Sequence, residues 1–289
     1  MKQIVKFQYS FRSRKQLLHL VNPSSFMRMT LFLGAASLRR ILNNTQKPLA
    51  VIILAAGKGT RMDSDLPKVL HPIGNLPMIT RVVRTAYALQ ANRIIPVLGY
   101  KYELIQSALK DEPVECTLQL EQLGTAHAVL QCRDILQDFS GNVLILYGDV
   151  PLIKVETLVN LLSIHSETDT QSTILTTNLP DPTGYGRIIR NKDDSLKKIV
   201  EEKDATDEER QVVEINSGIY VFNAQTLFRL LPLVENNNKQ NEYYLPDVLN
   251  LIIHEKGKVA IDKIKNYVEI QGVNNIEQLD KVNGFYENN

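Results

Sequence analysis

Between Leu49 and His165, short apolar runs rich in β-branched residues alternate with stretches of helical periodicity, and no other feature constrains the fold as much. Leu49–Leu54 is six consecutive apolar residues, which reads as a strand covered on both faces. Met78–Gln90 then carries Ile79, Val82, Val83, Ala86 and Leu89 at helical spacing. Arg93–Leu98, Val114–Gln119 and Val143–Leu146 read as further strands, and Tyr102–Lys110, Thr125–Leu136 and Lys154–His165 as helices. Strands alternating with helices predict an α/β fold with a mostly parallel, Rossmann-like central sheet. Right-handed crossovers would put the loops that carry chemistry at the carboxyl edge of that sheet.

The second half reads as mixed β structure. Ser172–Thr177, Gly186–Ile189, Leu196–Val200 and Val212–Phe222 are expected strands, with charged or Gly/Pro turns between them. Ala224–Val234 and Leu245–His254 are expected helices, and Lys258–Ile261 and Tyr267–Ile270 expected closing strands. The segment around Pro67 and Pro72 reads as a loop. No internal repeat is present.

Charge divides the chain in two. The total is near neutral, with 33 Lys+Arg against 32 Asp+Glu, which argues against bulk nucleic-acid affinity. Residues 1–47 nevertheless hold nine of the basic side chains and no acidic one, which leaves 24 basic and 32 acidic side chains, a net of −8, in 48–289. The expectation is a basic extension over 1–47 and one domain over 48–286. The extension is acid-poor with several serines, as a transit peptide would be; a disordered tail, or translation from a start upstream of Met27 or Met29, is the plainer reading. The longest clean apolar run of the body, Leu49–Ala56, is far short of the ~20 residues that a membrane helix needs. Cys116 and Cys132 lie sixteen apart with no CxxC, a pattern that supports neither a disulfide framework nor a zinc site and predicts reduced thiols in a cytoplasmic protein.

The first strand runs into Ala55-Ala56-Gly57-Lys58-Gly59-Thr60-Arg61-Met62. Small residues let backbone N–H groups approach a phosphate closely. The turn is not a Walker A loop, since Ile52 stands where the first glycine belongs, nor GxGxxG, since Met62 stands at the third. Arg61 and Lys68 flank it as fixed cations, with Pro67 stiffening the approach to Lys68. Free amides followed by two cations suit a triphosphate and a departing pyrophosphate. Asp149 ends a buried strand in Tyr147-Gly148-Asp149, where a carboxylate can hold Mg²⁺ or cap the following helix. Read alone, Thr125 is a helix cap, Asn274 a turn residue, Glu201 a surface acid, and His71 and His127 satisfied structural histidines.

Leu54-Ala55-Ala56-Gly57-Lys58-Gly59-Thr60-Arg61-Met62 with Ser64-Asp65-Leu66-Pro67-Lys68-Val69-Leu70 resembles the signature of bacterial N-acetylglucosamine-1-phosphate uridylyltransferases, the N-terminal half of the bifunctional GlmU enzymes. The resemblance continues through Gln119 and Gln122-Leu123-Gly124-Thr125-Ala126-His127-Ala128, Leu146-Tyr147-Gly148-Asp149-Val150-Pro151-Leu152, and Asp181-Pro182-Thr183-Gly184-Tyr185-Gly186-Arg187-Ile188. It includes Ile199-Val200-Glu201 with Lys203-Asp204-Ala205-Thr206-Asp207, then Glu214-Ile215-Asn216, Asn241-Glu242-Tyr243-Tyr244 and Gly272-Val273-Asn274-Asn275. These blocks span 48–286 in the family's order. Two departures stand out: Ala126 where glycine is usual, and Leu245-Pro246-Asp247 in place of a threonine-containing version.

The resemblance implies a nucleotidyltransferase domain with a mixed-β sugar-binding subregion. It assigns Leu54, Ala55, Ala56, Gly57 and Lys68 to the nucleotide, Gln119, Gly124 and Thr125 to uracil, and Tyr147, Gly148 and Asp149 to substrate binding. Gly186, Glu201 and Asn216 fall to the sugar, Asp149 and Asn274 to Mg²⁺, and Arg61 and Lys68 to catalysis. The implied partners are UTP, N-acetylglucosamine 1-phosphate, UDP-N-acetylglucosamine and pyrophosphate, on the route to peptidoglycan and lipopolysaccharide. The absence of any Ser/His/Asp or Cys/His grouping fits a transfer in which a substrate phosphate is the nucleophile. The family's second half, a left-handed β-helix with acetyltransferase activity and the trimer contacts, has no counterpart before Asn289, so acetylation is not expected and the oligomeric state stays open. The alternatives are another sugar-1-phosphate nucleotidyltransferase, using glucose 1-phosphate or dTTP, and a non-catalytic sugar-nucleotide sensor. A sensor would be expected to have lost Arg61, Lys68 or Asp149.

Overall fold

The computed structural model describes residues 47–287, so the expected extension lies outside the described residues except for Lys47. The central sheet runs β11 (Val259–Ile264), β7 (Ser172–Asn178), β10 (Glu214–Asn223), β6 (Asn142–Tyr147), β1 (Leu49–Ala55), β4 (Arg93–Leu98), β5 (Thr117–Leu118). β1 pairs in parallel with β4 and β6, β4 with β5, and β11 with β7. β10 runs against β6 and β7, and β8 (Arg187–Arg190) joins it to β9 (Leu196–Val200). The fold is therefore α/β, with a parallel half and a mixed half as expected.

The apolar run of β1 is explained by its two covered faces. Val51 and Ile53 join one core with Ile79, Val82 and Val83 of helix α1 (Met78–Ala88). Ala50, Ile52 and Leu54 join the other with Ala128 and Val129 of α3 (Thr125–Leu130) and with Phe222. Period-2 alternation sends successive side chains to opposite faces, so a central strand covered by helices has no polar position. Between these helices in chain order lies α2 (Tyr102–Ala108), and α4 (Val155–Glu167) follows β6.

Several expectations are corrected. Tyr267–Ile270 is a 3₁₀ turn, not a strand: the Asn266 side chain accepts from Val268 N, which curls the chain, and Ile270 is buried. Thr125 does not cap α3; Gly124 precedes the helix, and the Thr125 hydroxyl accepts from Leu245 N at 2.9 Å. Asp149 does not cap α4, which starts after Lys154. The expected loop around Pro67 and Pro72 contains a 3₁₀ turn, Lys68–Leu70, and a minimal hairpin, Pro72–Ile73 with Leu76–Pro77. The third expected strand shrinks to Thr117–Leu118, and the helix expected to reach Leu136 ends at Leu130. Two helices were not anticipated. α5 (Asp207–Arg210) starts at a capping box in which Thr206 and Glu209 exchange side-chain-to-backbone bonds. After α6 (Ala224–Leu230) and α7 (Pro246–His254) comes α8 (Ile276–Glu287), which buries only Leu279 and Val282.

Candidate active site

The loops that leave the carboxyl ends of β1, β5 and β6 converge, as expected at the edge of an open α/β sheet. They enclose a cavity of about 340 Å³. Leu54, Ala55, Ala56, Gly57, Lys68, Gln119, Gly124, Thr125, Tyr147, Asp149 and Asn274 line it, so most of the residues singled out in the sequence meet there. Gln122, Val69, Ala128 and Glu242 line it too and had been given no role; all four stand inside the motif blocks, and Glu242 adds a carboxylate to the wall. Gly148 lies behind the lining, where its N–H donates to Leu54 O at 2.9 Å and ties the Tyr147–Asp149 turn to β1.

The glycine turn is shaped by Gly59, which takes a left-handed conformation (φ 62°). A Cβ there would stand 2.6 Å from Cβ of Lys68, so only glycine lets the turn close onto that lysine. Lys68 Nζ then donates to Asp149 Oδ2 in a short ion pair and to Asn274 Oδ1 at 3.2 Å. Arg61 is exposed and donates to the same Asn274 oxygen at 3.0 Å. Two oxygens from residues far apart in the chain thus converge on one ammonium. A carboxylate and a carboxamide oxygen are also the hard donors that Mg²⁺ prefers, so the pair fits that ion. Asn274 reaches the site because Val273, fully buried beside Met62 and Met78, anchors its N–H on Asp149 O at 2.9 Å.

Gln119 is almost fully buried; its side-chain nitrogen donates to Gly124 O at 3.0 Å and lies 3.0 Å from His127 Nδ1. Its carbonyl oxygen is left as an acceptor beside the cavity, the complement of a ring N–H. His127 therefore supports Gln119 rather than merely packing.

Gly186, Glu201 and Asn216 do not line this cavity but form a group next to it. Asn216 N donates to Gly186 O at 2.9 Å, and a Cβ on Gly186 would lie 3.1 Å from Glu201 Oε1. Tyr147 connects the two regions, its ring packed on Gly218. Burial pushes the Glu201 carboxyl up to about 7, helped by the nearby charges of Asp247, Asp204 and Glu242 and opposed by Arg187. Arg187 is itself buried and pairs with Glu202 at 2.6 Å, which pins the Glu201 segment against β8. Tyr220 and Gly218, which hold the side chain of Asn216, were missed; the available signal was a glycine inside a strand pattern, which marks a bulge.

A family model described as nucleotidyl transferase matches residues 50–267. The chain is 48% identical over 223 residues to the bifunctional protein GlmU of Streptococcus agalactiae serotype V, covering 77% of this chain and 48% of that one. It is 49% identical over 234 residues to the bifunctional protein GlmU of Alkaliphilus metalliredigens, and 44% over 234 residues to that of Bacillus subtilis, in both cases across 81% of this chain and 51% of the relative. The chain thus spans about half the length of the curated relatives it matches. A crystal structure of UDP-glucose pyrophosphorylase complexed with UDP-glucose superposes with a TM-score of 0.66 at 19% identity, covering 84% of this chain and 99% of that one, a likeness of fold.

Proposed function

The chain belongs to the nucleotidyl transferase family, and from that premise we propose that residues 48–286 form a uridylyltransferase domain that moves UMP from UTP to N-acetylglucosamine 1-phosphate. The products are UDP-N-acetylglucosamine and pyrophosphate. The observation that carries this reading is the convergence of Lys68, Asp149 and Asn274 at the mouth of a cavity lined by the Ala55–Gly57 turn and Gln119. The identity to bifunctional GlmU proteins supports the sugar and the base.

No protein nucleophile is needed. A phosphate oxygen of the sugar 1-phosphate is ionised near neutrality, because the second pKa of a phosphate monoester is about 6. That oxygen forms a bond to the α-phosphorus of UTP as the bond from that phosphorus to the bridging β-oxygen breaks, and pyrophosphate leaves with the electron pair. Amides of the Ala55–Gly57 turn and the cations of Lys68 and Arg61 orient the triphosphate and offset the charge that builds on it. Gln119 accepts from the base, and Gly186, Glu201 and Asn216 hold the sugar. Asp149 and Asn274 would hold Mg²⁺, which supplies further charge neutralisation on the phosphate oxygens. Cys116 and Cys132 are free thiols, and no helix among the described residues is long and apolar enough to cross a membrane, which fits the cytoplasmic setting we assign.

Lys68→Ala tests the assignment. Turnover should fall about 10²–10³-fold, the cost of losing one preorganised donor to developing charge, while cooperative unfolding is retained. Near wild-type turnover by a folded variant would remove Lys68 from the mechanism.

A further inference from the structure

Strand β10 contains an irregularity with a chemical consequence. Asn216 pairs with Thr176 and Tyr220 with Ile174, so three residues of β10, Ser217 to Ile219, face only Leu175 of β7. The surplus is folded into a bulge in which Gly218 is left-handed (φ 81°) and the Ser217 hydroxyl donates to Leu175 O at 2.6 Å while accepting from Ile219 N at 3.1 Å. In a regular strand, residues four apart are separated by about 13 Å along the chain. The bulge shortens this span, and the Tyr220 hydroxyl reaches Asn216 Oδ1 at 2.8 Å. Gly218 N donates to the same oxygen at 2.9 Å.

Two donors on one oxygen fix the Asn216 side chain. One of them is a backbone N–H, which cannot be an acceptor, so Oδ1 and Nδ2 are distinguished by chemistry. Burial holds the Tyr220 phenol well above its ordinary range, so it stays an O–H donor. Oδ1 is spent inside the protein, and Nδ2 has no hydrogen-bond partner among the described residues. Asn216 thus presents donors only, in the group that contains Gly186 and Glu201.

We propose that Tyr220 is a positioning residue for sugar selection: with Gly218 it locks the Asn216 amide as a donor, so this position selects a sugar phosphate that offers an acceptor, such as an acyl carbonyl. The inference rests on the uridylyltransferase reading and adds to it the source of the amide's polarity. Tyr220→Phe removes one of the two donors and keeps the ring in the core.

The experiment is steady-state kinetics on wild type, Tyr220→Phe, Asn216→Ala and the double variant, with UTP and N-acetylglucosamine 1-phosphate varied in turn. Tyr220→Phe should raise KM for the sugar phosphate about three- to tenfold and leave KM for UTP within about twofold, the scale of one neutral hydrogen bond. In the Asn216→Ala background it should add nothing, because there is no amide left to hold. An unchanged sugar KM, an equal rise for both substrates, or an undiminished effect in the Asn216→Ala background would overturn the role. A wild type that does not use this sugar phosphate would instead sink the functional reading. The inference then still stands or falls on the side-chain ¹⁵N–¹H signals of Asn216 in wild type and Tyr220→Phe: they should shift and broaden in the variant, and signals that stay the same would contradict it.

Discussion

At the scale of single residues, the site is a set of polar atoms whose roles are fixed by what lies behind them. Gln119 commits its side-chain nitrogen to Gly124 O beside His127, and Asn216 spends its oxygen on Gly218 and Tyr220, so one amide is left as an acceptor and the other as a donor. Glu201 is held by its surroundings in a different sense, since burial lifts its carboxyl from 4.5 to about 7. Between those values the unfolded chain has released the proton while the folded chain keeps it, so the native state binds more protons and stability falls as pH rises through the window. Glu201→Gln removes that loss. The melting temperature of the unliganded variant, relative to wild type, should climb from about pH 4.5 to about pH 7 and then level off. Parallel profiles would show that Glu201 ionises as an ordinary carboxylate. Legibility at this scale was uneven. The glycine turn, Lys68 and Asp149 stood out because chemistry and local pattern coincide there. Asn274 lies 206 positions beyond Lys68 and looks like a turn residue; only the motif order pointed to it, and only the small core around Val273 explains how it arrives.

At the scale of elements, each group of site residues is placed by a local irregularity on a regular frame. Gly59 closes the first turn on Lys68, and the β10 bulge turns Asn216, Gly218 and Tyr220 toward one another. Gly218 has a positive φ, and a Cβ there would lie 2.6 Å from Cε2 of Tyr147. Gly218→Ala should therefore cost about 2–4 kcal/mol of stability, from the left-handed backbone and the overpacking together. Chemical denaturation would read this as a lower midpoint with an unchanged slope, and a midpoint equal to that of wild type would show that the bulge relaxes freely. Long periodic elements such as Met78–Ala88 were visible in the sequence because burial on one face writes itself into the spacing. Short ones were not. Tyr267–Ile270 has the apolar content of a strand, but one Asn266 side chain curls it. Ile276–Glu287 buries too few residues to leave a stripe.

Across the whole molecule, the parallel half supplies the loops proposed to hold the nucleotide and the mixed half supplies the group around Glu201 and Asn216, with Tyr147 packed between them on Gly218. This division was legible because the hydrophobic pattern itself changes from continuous runs to charged, turn-rich segments near residue 172. Net charge was a poor guide. Residues 48–289 sum to −8, yet the proposed substrates are polyanions, so affinity has to come from Lys68, Arg61, loop amides and a divalent cation rather than from a basic face. The most direct test is pyrophosphate release from UTP, followed with and without Mg²⁺ across a panel of sugar 1-phosphates. Release should depend on Mg²⁺ and be fastest with N-acetylglucosamine 1-phosphate and slower with glucose 1-phosphate. No release with N-acetylglucosamine 1-phosphate, or faster release with glucose 1-phosphate, would contradict the proposed function.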